Sequence, residues 1–231
     1  MPAVTARCGR RCGRGWKCCP TRPTAATGTN QKTCYVRAAL DGADIVVMVH
    51  GDNQYDPALV ADMTAQIEAG QADVVLGSRL LQDEAVAGGM PRWKWVGNRV
   101  LTLVENLGFR RRFSEYHTGY RAFSVDFLRR IPFLRNSDGF VFDQEIFAQI
   151  VASQARVVEL SIPTRYFLEA SSVSFTESVR YGVKTLAVLV RFRQDERRSR
   201  WALLRRPAVA LEPVARQPAP HSATVSLPAG S

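Results

Sequence analysis

The sequence has few of the residues that build disulfide-rich or metal-rich folds, and its last helical pattern lacks a membrane-length apolar run. Only three histidines and five cysteines occur among 231 residues. A membrane-spanning helix needs about 20 consecutive apolar residues, whereas the uncharged run within that pattern covers only residues 185–190. The sequence begins without an apolar stretch of the secretory type. We therefore expect a cytoplasmic, reducing setting and no structural disulfides.

Four of the five cysteines lie near the start of the sequence, at Cys8, Cys12, Cys18 and Cys19. Structural zinc sites usually pair their cysteines in two knuckles, with two to four residues between the members of each pair. The adjacent Cys18 and Cys19 fit this spacing poorly, so we predict no zinc site there. The fifth cysteine, Cys34, lies in a helical pattern and is predicted to be a small buried residue.

Acidic residues are absent from residues 1–29, which carry six Lys or Arg and no apolar periodicity. This composition predicts a disordered basic leader that supplies no buried strand. The whole chain has a formal charge of +10, but the excess lies mainly in residues 1–29 and 191–206. Nucleic-acid-binding domains concentrate charge on a folded surface, so we predict no nucleic-acid partner. The Pro-, Ala- and Ser-rich residues 207–231 predict a disordered tail.

An acidic motif between two apolar runs is the most informative feature of the chain. The first run, Ile45–Val49, is rich in β-branched residues and suits a strand buried on both faces of a parallel sheet. Asp56 is typical of a helix N-cap, and Pro57 is typical of the first helical position. Gly70 is typical of a helix end. The second apolar run, residues 74–76, predicts another strand. The pattern is that of a β-loop-α-β unit.

Ligands of open α/β sheets bind beyond the carboxyl ends of the strands. Asp52 and Arg79 fall at two such ends. A carboxylate there can hold a divalent cation that bridges two phosphates, and an arginine can donate to phosphate oxygens. The pattern therefore indicates a site for a nucleotide sugar.

Five motifs follow one another along residues 30–192. They are Asn30–Tyr35, His50–Pro57, Gly77–Arg79, His117–Phe123 and Phe140–Glu145. In this order they resemble the family 2 glycosyltransferases of the GT-A fold, particularly the branch similar to dolichyl-phosphate mannosyltransferase. The resemblance implies an α/β, Rossmann-like fold whose mostly parallel sheet is flanked by helices. It also implies inverting transfer of a sugar from a nucleotide-diphosphate donor to a polyprenyl phosphate or hydroxyl acceptor.

The resemblance assigns donor and metal residues. Asp52, Gln54 and Arg79 would bind the donor diphosphate, and the metal, Mn²⁺ or Mg²⁺, would be held by an Asp-x-Asp motif. His50 stands at the first aspartate position of that motif, so His50 and Asp52 are the predicted metal ligands. Because imidazole binds borderline metals better than Mg²⁺, we expect Mn²⁺ to activate at least as well as Mg²⁺.

A predicted helix over residues 91–107 carries Arg99, Thr102 and Asn106 at spacings of three and four, which places them on one face. They match an Arg-x-x-Ser-x-x-x-Asn pattern of the dolichyl-phosphate mannosyltransferases, and the resemblance implies that Arg99 and Thr102 hold the acceptor phosphate. Arg121 is assigned to the acceptor as well. The alternative is a surface arginine with two capping or core polar groups.

His117 and Asp143 are the candidate catalytic residues. A histidine is accessible in either protonation state near neutral pH, so His117 could act as a base or donate to a phosphate; the alternative is a loop histidine bonded to backbone. Asp143 and Glu145, two residues apart, do not share a helix face. Asp143 is favoured as the general base toward an acceptor hydroxyl, with a helix N-terminal acid as its alternative.

Residues 30–173 are predicted to form a partial GT-A domain. Complete members of the resembled family begin with a strand, an Asn-Glu loop and an Asp-Asp-Gly segment that hold the nucleoside, and residues 1–29 contain none of these. We therefore expect a domain truncated at its amino end. Residues 174–206 predict a basic amphipathic helical segment that lies peripherally on anionic lipid, at the inner face of a membrane, or packs against the domain.

The sequence thus favours a metal-assisted glycosyltransferase. The first alternative is a catalytically inactive glycosyltransferase remnant that binds a membrane or a protein partner. A basic nucleic-acid-associated protein is the third and least favoured class.

Overall fold

The computed structural model describes residues 4–8, 17–19, 27–50, 55–81, 90–163, 175–195 and 200–205. Within these ranges the chain forms a six-stranded sheet with helices packed on it. The strands are β1 Val4–Cys8, β2 Lys17–Cys19, β3 Ile45–His50, β4 Val74–Ser78, β5 Arg121–Ser124 and β6 Val157–Ser161. The α-helices are α1 Thr27–Leu40, α2 Val60–Glu68, α3 Arg92–Phe109, α4 Val125–Arg130, α5 Phe142–Ala152 and α6 Phe175–Gln194. Short 3₁₀ helices cover Pro57–Leu59, Phe133–Arg135 and Ala202–Leu204.

The strand order is β2-β1-β3-β5-β4-β6, and the ladders correct one part of the predicted fold. Among the described strands only β4 and β6 pair in parallel; the other four ladders are antiparallel. The strands β3 and β4 point the same way but do not pair, because β5 lies between them with Ala122 opposite both Val47 and Val75. The prediction of a mostly parallel sheet is therefore wrong, because apolar periodicity carries no information about strand direction.

This topology brings several chain segments to one side of the sheet, here called the carboxyl edge. It consists of the carboxyl ends of β3, β4 and β6, at His50, Ser78 and Ser161, and the amino end of β5, at Arg121. The antiparallel β5 thus delivers the segment that precedes it to the edge where open α/β sheets bind ligands.

The disorder predicted for residues 1–29 is wrong for two segments. The strand β1 pairs with β3 from Val4 opposite His50 to Cys8 opposite Val46, and β2 extends the sheet beyond β1. Sheet pairing needs only main-chain groups, which every non-proline residue carries. An edge at β3 without β1 would present unpaired backbone groups. A composition-based argument does not detect this kind of strand.

The predicted β-loop-α-β unit is confirmed. The Asp56 carboxylate accepts a hydrogen bond from the Ala58 N–H at 2.8 Å, and Pro57 begins the 3₁₀ turn that leads into α2. The helix α2 ends at Glu68, and Gly70 follows with a φ of +71°, a value that favours glycine. The strand β4 then runs into Arg79.

Two apolar cores cover the two faces of the sheet. The larger contains an aromatic group around Tyr35 of α1, with Phe123, Phe133 and Phe142 in edge or tilted contact. Cys34 is buried in this core, as predicted. The smaller core packs Met63 of α2 against the other face.

The helix α6 lies in the segment that was predicted to be basic and amphipathic. Its residues Val188, Leu189 and Phe192 are buried, and Phe192 packs edge-on against Phe109 at the end of α3. A Cβ at Gly108 would overlap Leu189, which shows how closely α3 and α6 approach. Within the described residues, no helix combines the length and apolar character that crossing a membrane requires.

Candidate functional site at the carboxyl edge

Residues 114–120, here called the site loop, run along the carboxyl edge between α3 and β5. The Gly119 N–H donates to the Tyr55 hydroxyl at 3.4 Å, and the Tyr120 hydroxyl donates to the Asp56 carbonyl at 2.9 Å. Tyr55 and Asp56 directly follow residues 51–54 in the sequence. The last part of the acidic motif is therefore fixed beside the site loop.

Arg79 and Glu115 form a buried ion pair at the carboxyl end of β4. The Glu115 carboxylate is fully buried and accepts hydrogen bonds from the Arg79 backbone N–H and Nε, both at 2.9 Å, and from the Arg79 Nη2. It also accepts from Asn98 Nδ2 at 2.8 Å. Burial acts to raise the pKa of Glu115, but the charge and hydrogen bonds of Arg79, helped by Asn98, hold it below the usual range.

This pair changes how the predicted role of Arg79 is understood. Its guanidinium is oriented by Glu115, and its Nη2 also donates to the His117 carbonyl at 3.2 Å. Arg79 therefore holds the site loop against the end of β4, and the predicted contact with a donor diphosphate stays a prediction. Sequence reasoning did not single out Glu115, because its partner lies 36 residues earlier.

His117 joins three helices through its ring. Its Nε2 lies 2.9 Å from Oε2 of Glu105 on α3, although the pair is not aligned as a regular hydrogen bond. On the other side, its Nδ1 lies 3.2 Å from Gln144 Nε2 on α5 and 3.4 Å from the Tyr181 hydroxyl on α6. Both ring nitrogens thus face protein groups. This arrangement favours a positioning role for His117 over the predicted role as a base. The alternative prediction was a loop histidine whose ring bonds to the backbone, whereas the ring partners found here are side chains.

The hydroxyl of Tyr181 stays protonated in this network. Burial, followed by the negative charge of Asp143, raises the pKa of Tyr181 well above its usual value. The hydroxyl accepts from Gln144 Nε2 at 2.8 Å, so its own proton is available to His117.

Glu105 is a further residue that sequence reasoning missed. Its carboxylate is fully buried, and neither oxygen has a regular hydrogen bond among the described residues. A signal for it exists in the sequence: Asn98, Thr102 and Glu105 recur at helical spacing on the side of α3 that ends at the buried Phe109. Three polar residues on a core-facing stripe indicate a polar network beneath the helix.

Asp143 is held by two partners at the amino end of α5. Its Oδ1 accepts from Gln31 Nε2 and from Arg121 Nη1, each at 3.0 Å. Arg121 also donates to the Tyr116 carbonyl at 3.1 Å and lies 4.8 Å from the Phe147 ring. Because Arg121 is 1% exposed, the structure speaks against direct contact with an acceptor, its predicted role, and gives it the task of orienting Asp143.

Asp143 and Glu145 face different partners, as expected for two residues that do not share a helix face. Glu145 accepts from the Ser137 hydroxyl at 2.8 Å. The Asp143 side chain retains 20% exposure, so a group at the carboxyl edge can reach it.

The three polar residues predicted on one face of α3 have protein partners. Arg99 donates from Nη2 to the Leu80 carbonyl at 3.1 Å, and Thr102 donates to Asn98 Oδ1 at 3.3 Å. The Asn106 side chain donates from Nδ2 to the Phe113 carbonyl and accepts at Oδ1 from the Phe113 N–H, both at 2.8 Å. For Thr102 and Asn106 this geometry favours the alternative of core polar groups. An acceptor contact of Arg99 stays a prediction.

The predicted metal ligands are outside what the structure describes. Asp52 and Gln54 fall in the gap at residues 51–54, and the side chain of His50 is not described. Elsewhere in the described part of the chain, no three His, Cys, Asp or Glu side chains lie close enough together to hold a metal ion. The described residues therefore supply no complete donor set, and the metal site at His50 and Asp52 stays a prediction.

Comparisons with known proteins agree with this architecture. No protein-family model matches the chain. The chain is 30% identical over 120 residues to the low-salt glycan biosynthesis hexosyltransferase Agl6 of Haloferax volcanii, a match that covers 52% of this chain and 28% of that protein. It is 24% identical over 140 residues to an uncharacterized protein of Methanocaldococcus jannaschii, covering 58% of this chain and 57% of the other. The chain thus spans clearly less than the full length of both relatives.

Among solved structures, the chain is similar to glucosyl-3-phosphoglycerate synthase of Mycobacterium tuberculosis. Its complex with uridine diphosphate superposes with a TM-score of 0.53 at 15% identity, over 76% of this chain and 57% of that one. Its complex with Mn²⁺, UDP-glucose and phosphoglyceric acid gives a TM-score of 0.50 at 14% identity, with the same coverage.

These similarities show that the chain has the GT-A fold and that its sequence resembles a glycosyltransferase. The predicted resemblance to glycosyltransferases and the predicted fold class are confirmed at this level. The closer likeness to the dolichyl-phosphate mannosyltransferase branch stays a prediction.

Proposed function

We propose that this chain transfers a sugar from a nucleotide-diphosphate donor to a polyprenyl phosphate or a hydroxyl acceptor, with inversion at the anomeric carbon. The observation that supports it most is the convergence of four features at the carboxyl edge of a GT-A sheet: the end of the acidic motif at Tyr55 and Asp56, Arg79, the site loop and Asp143. The relative Agl6 is named a hexosyltransferase. One solved complex of the similar synthase contains UDP-glucose.

The donor would lie across the carboxyl edge with its diphosphate near Asp52, Gln54 and Arg79. Asp52 and His50 would hold Mn²⁺ or Mg²⁺, whose charge would neutralise the departing diphosphate. One solved complex of the similar synthase contains Mn²⁺. Arg79 is oriented for this task by Glu115, whose carboxylate fixes the direction of the guanidinium plane.

The acceptor oxygen would attack the anomeric carbon on the face opposite to the departing diphosphate. If the acceptor is a hydroxyl, Asp143 would take its proton as general base, and Arg121 and Gln31 hold that carboxylate in place. A phosphate acceptor is already anionic and needs no base. Arg99 would be the cation of α3 that holds it, and a lipid acceptor would bring a cytoplasmic chain to the inner face of a membrane.

The test is calorimetric titration of UDP, UDP-glucose, GDP and GDP-mannose into the purified chain, with Mn²⁺, with Mg²⁺ and with chelator. We expect metal-dependent binding of one nucleotide pair, abolished by Asp52→Ala and retained in Asp56→Asn, whose amide oxygen can still cap the 3₁₀ turn. A well-folded chain that binds none of the four would contradict the proposal and favour a catalytically inactive remnant.

A further inference from the structure

The outer surfaces of α3 and α6 are apolar in a regular pattern. On α3, five exposed side chains recur at spacings of three and four residues and are 51% to 71% exposed: Trp93, Val96, Val100, Leu103 and Leu107. On α6, four side chains with the same kind of spacing are 41% to 62% exposed: Val179, Val183, Leu186 and Val190. Single exposed apolar residues are normal, but continuous stripes on two helices mark an interaction surface.

The two stripes lie on neighbouring helices. The helices α3 and α6 pack against each other where Gly108 meets Leu189 and Phe109 meets Phe192. The side chains that make this contact, and the buried Thr102 and Glu105, lie on other sides of their helices than the stripes. The stripes therefore lie away from the contact between the two helices. Together, these two neighbouring stripes are here called the outer face.

Every charged side chain exposed beside these stripes, among the described ones, is basic. On α6 the exposed cations are Arg180, Lys184, Arg191 and Arg193. At the two ends of α3 they are Arg92 and the run at residues 110–112. Of the acids in or next to these helices whose side chains the structure describes, Glu105 and Asp195 are both buried.

This combination identifies the kind of partner. Apolar stripes flanked by several exposed cations are complementary to a surface that is apolar within and anionic at its boundary. A second copy of the chain would bring the same cations against themselves, and a symmetric contact of this kind is unfavourable. We propose that the outer face docks on an anionic lipid bilayer, with the stripes in the headgroup and acyl boundary and the cations against the headgroups.

The proposal goes beyond sugar transfer and does not depend on it, because docking needs no donor and no metal. The sequence left two alternatives for the last helix, lipid contact or packing against the domain. The structure gives α6 a packed face and an exposed face, and α3 adds a second stripe that the sequence analysis did not identify.

The test is flotation of the full chain with two kinds of vesicle, phosphatidylcholine alone and phosphatidylcholine with phosphatidylglycerol in equal parts. We expect retention on the anionic vesicles only, weakening as salt rises. The double variant Val100→Glu/Leu103→Glu should bind at least tenfold more weakly, because two apolar side chains no longer enter the boundary. Arg180→Gln/Lys184→Gln should weaken binding about fivefold for each cation removed.

Leu40→Glu is the matched control, since Leu40 on α1 is 53% exposed, close to the 59% of Leu103, but lies off the outer face. It should bind like the unmodified chain. Equal retention of the Val100→Glu/Leu103→Glu variant, or equal binding to neutral vesicles, would overturn the proposal. So would absence of vesicle binding together with a dimer in light scattering that the same variant dissociates, because the outer face would then bind a second copy.

Discussion

The strand β4 carries a cluster of arginine and carboxylate at each end, and the two clusters differ in their contact with water. At the carboxyl end, the side chains of Glu115 and Arg79 are 0% and 11% exposed. At the amino end, Asp73 pairs with Arg130 and Arg156, whose side chains are 55% and 59% exposed. The same chemistry is desolvated where the candidate site lies and solvated at the opposite end of the sheet.

The two clusters have different structural roles. Asp73 joins the start of β4 to the start of β6, since it also accepts from the Arg156 backbone N–H at 3.0 Å. Exposed pairs of this kind contribute little to stability. Glu115 instead holds a loop that carries site residues, and burying a charge is unfavourable unless it is paired and hydrogen-bonded. The site loop is therefore held by a buried ion pair, and removing either Arg79 or Glu115 would leave the other charge buried without its partner.

The largest effect is expected from breaking the buried pair. Glu115→Ala leaves the Arg79 guanidinium without its carboxylate in a nearly water-free position, and loss of one partner of a buried pair costs about 3–5 kcal/mol. Urea unfolding followed by circular dichroism measures this loss as a lower midpoint with an unchanged slope.

The matched control removes both charges. Arg79→Met/Glu115→Leu replaces the pair by apolar side chains and should recover most of the stability that Glu115→Ala loses, because neither charge is then left buried alone. If Glu115→Ala cost no more than about 1 kcal/mol, the value typical of an exposed pair, the two ends of β4 would not differ as the structure indicates.

The parts of this arrangement that are local in sequence could be predicted, and the long-range parts could not. The Asp56 cap, the end of α2 at Gly70 and the approach of Arg79 to the carboxyl edge follow from residue types at short spacing. The burial of Glu115 does not, because it depends on Arg79 and Asn98, which lie 36 and 17 residues away. An acid in a loop is ordinarily exposed, so its sequence context gave no reason to place it inside.

The same limit applies to the direction of the strands and to the surroundings of the predicted catalytic histidine. The direction of β5 and the pairing of β1 depend on main-chain hydrogen bonds that side-chain patterns do not specify. The approach of His117 to Arg79 at the carboxyl end of β4 was predictable from the ordered motifs. Its enclosure by Glu105, Gln144 and Tyr181 was not, since these residues come from three separate helices.

A smaller effect, in the pH dependence of stability, separates Glu115 from its neighbour Glu159. The pKa of Glu115 is lowered from its ordinary value of 4.5. Its stabilising contribution is thus present above about pH 4.5 and is lost as pH falls through the folded-state pKa. We expect the difference in unfolding free energy between the unmodified chain and Glu115→Gln to be largest near neutral pH and to shrink on acidification.

Glu159→Gln is the control for this titration, because its sign is opposite. Burial raises the pKa of Glu159, although hydrogen bonds from Ser114 partly counteract it. Its contribution is present below about pH 4.5 and is lost as pH rises through the folded-state pKa. Glu159→Gln should therefore improve relative to the unmodified chain as pH rises. If the unfolding free energies of the two variants, each relative to the unmodified chain, changed with pH in the same direction, the two carboxylates would not have opposite pKa shifts.

The smallest effect is expected at the exposed end of β4. Burial acts to raise the pKa of Asp73, but hydrogen bonds from Arg156 and the charges of both arginines hold it below its usual value. Because those arginines lie in water, Asp73→Asn should cost only about 1 kcal/mol, and the cost should shrink as salt is added, since salt screens exposed pairs more than buried ones. Unfolding of Asp73→Asn and Glu115→Ala in parallel salt series measures both. If Asp73→Asn lowered the unfolding free energy as much as Glu115→Ala does, and independently of salt, the different exposure of the two clusters would have no effect on their contribution to stability.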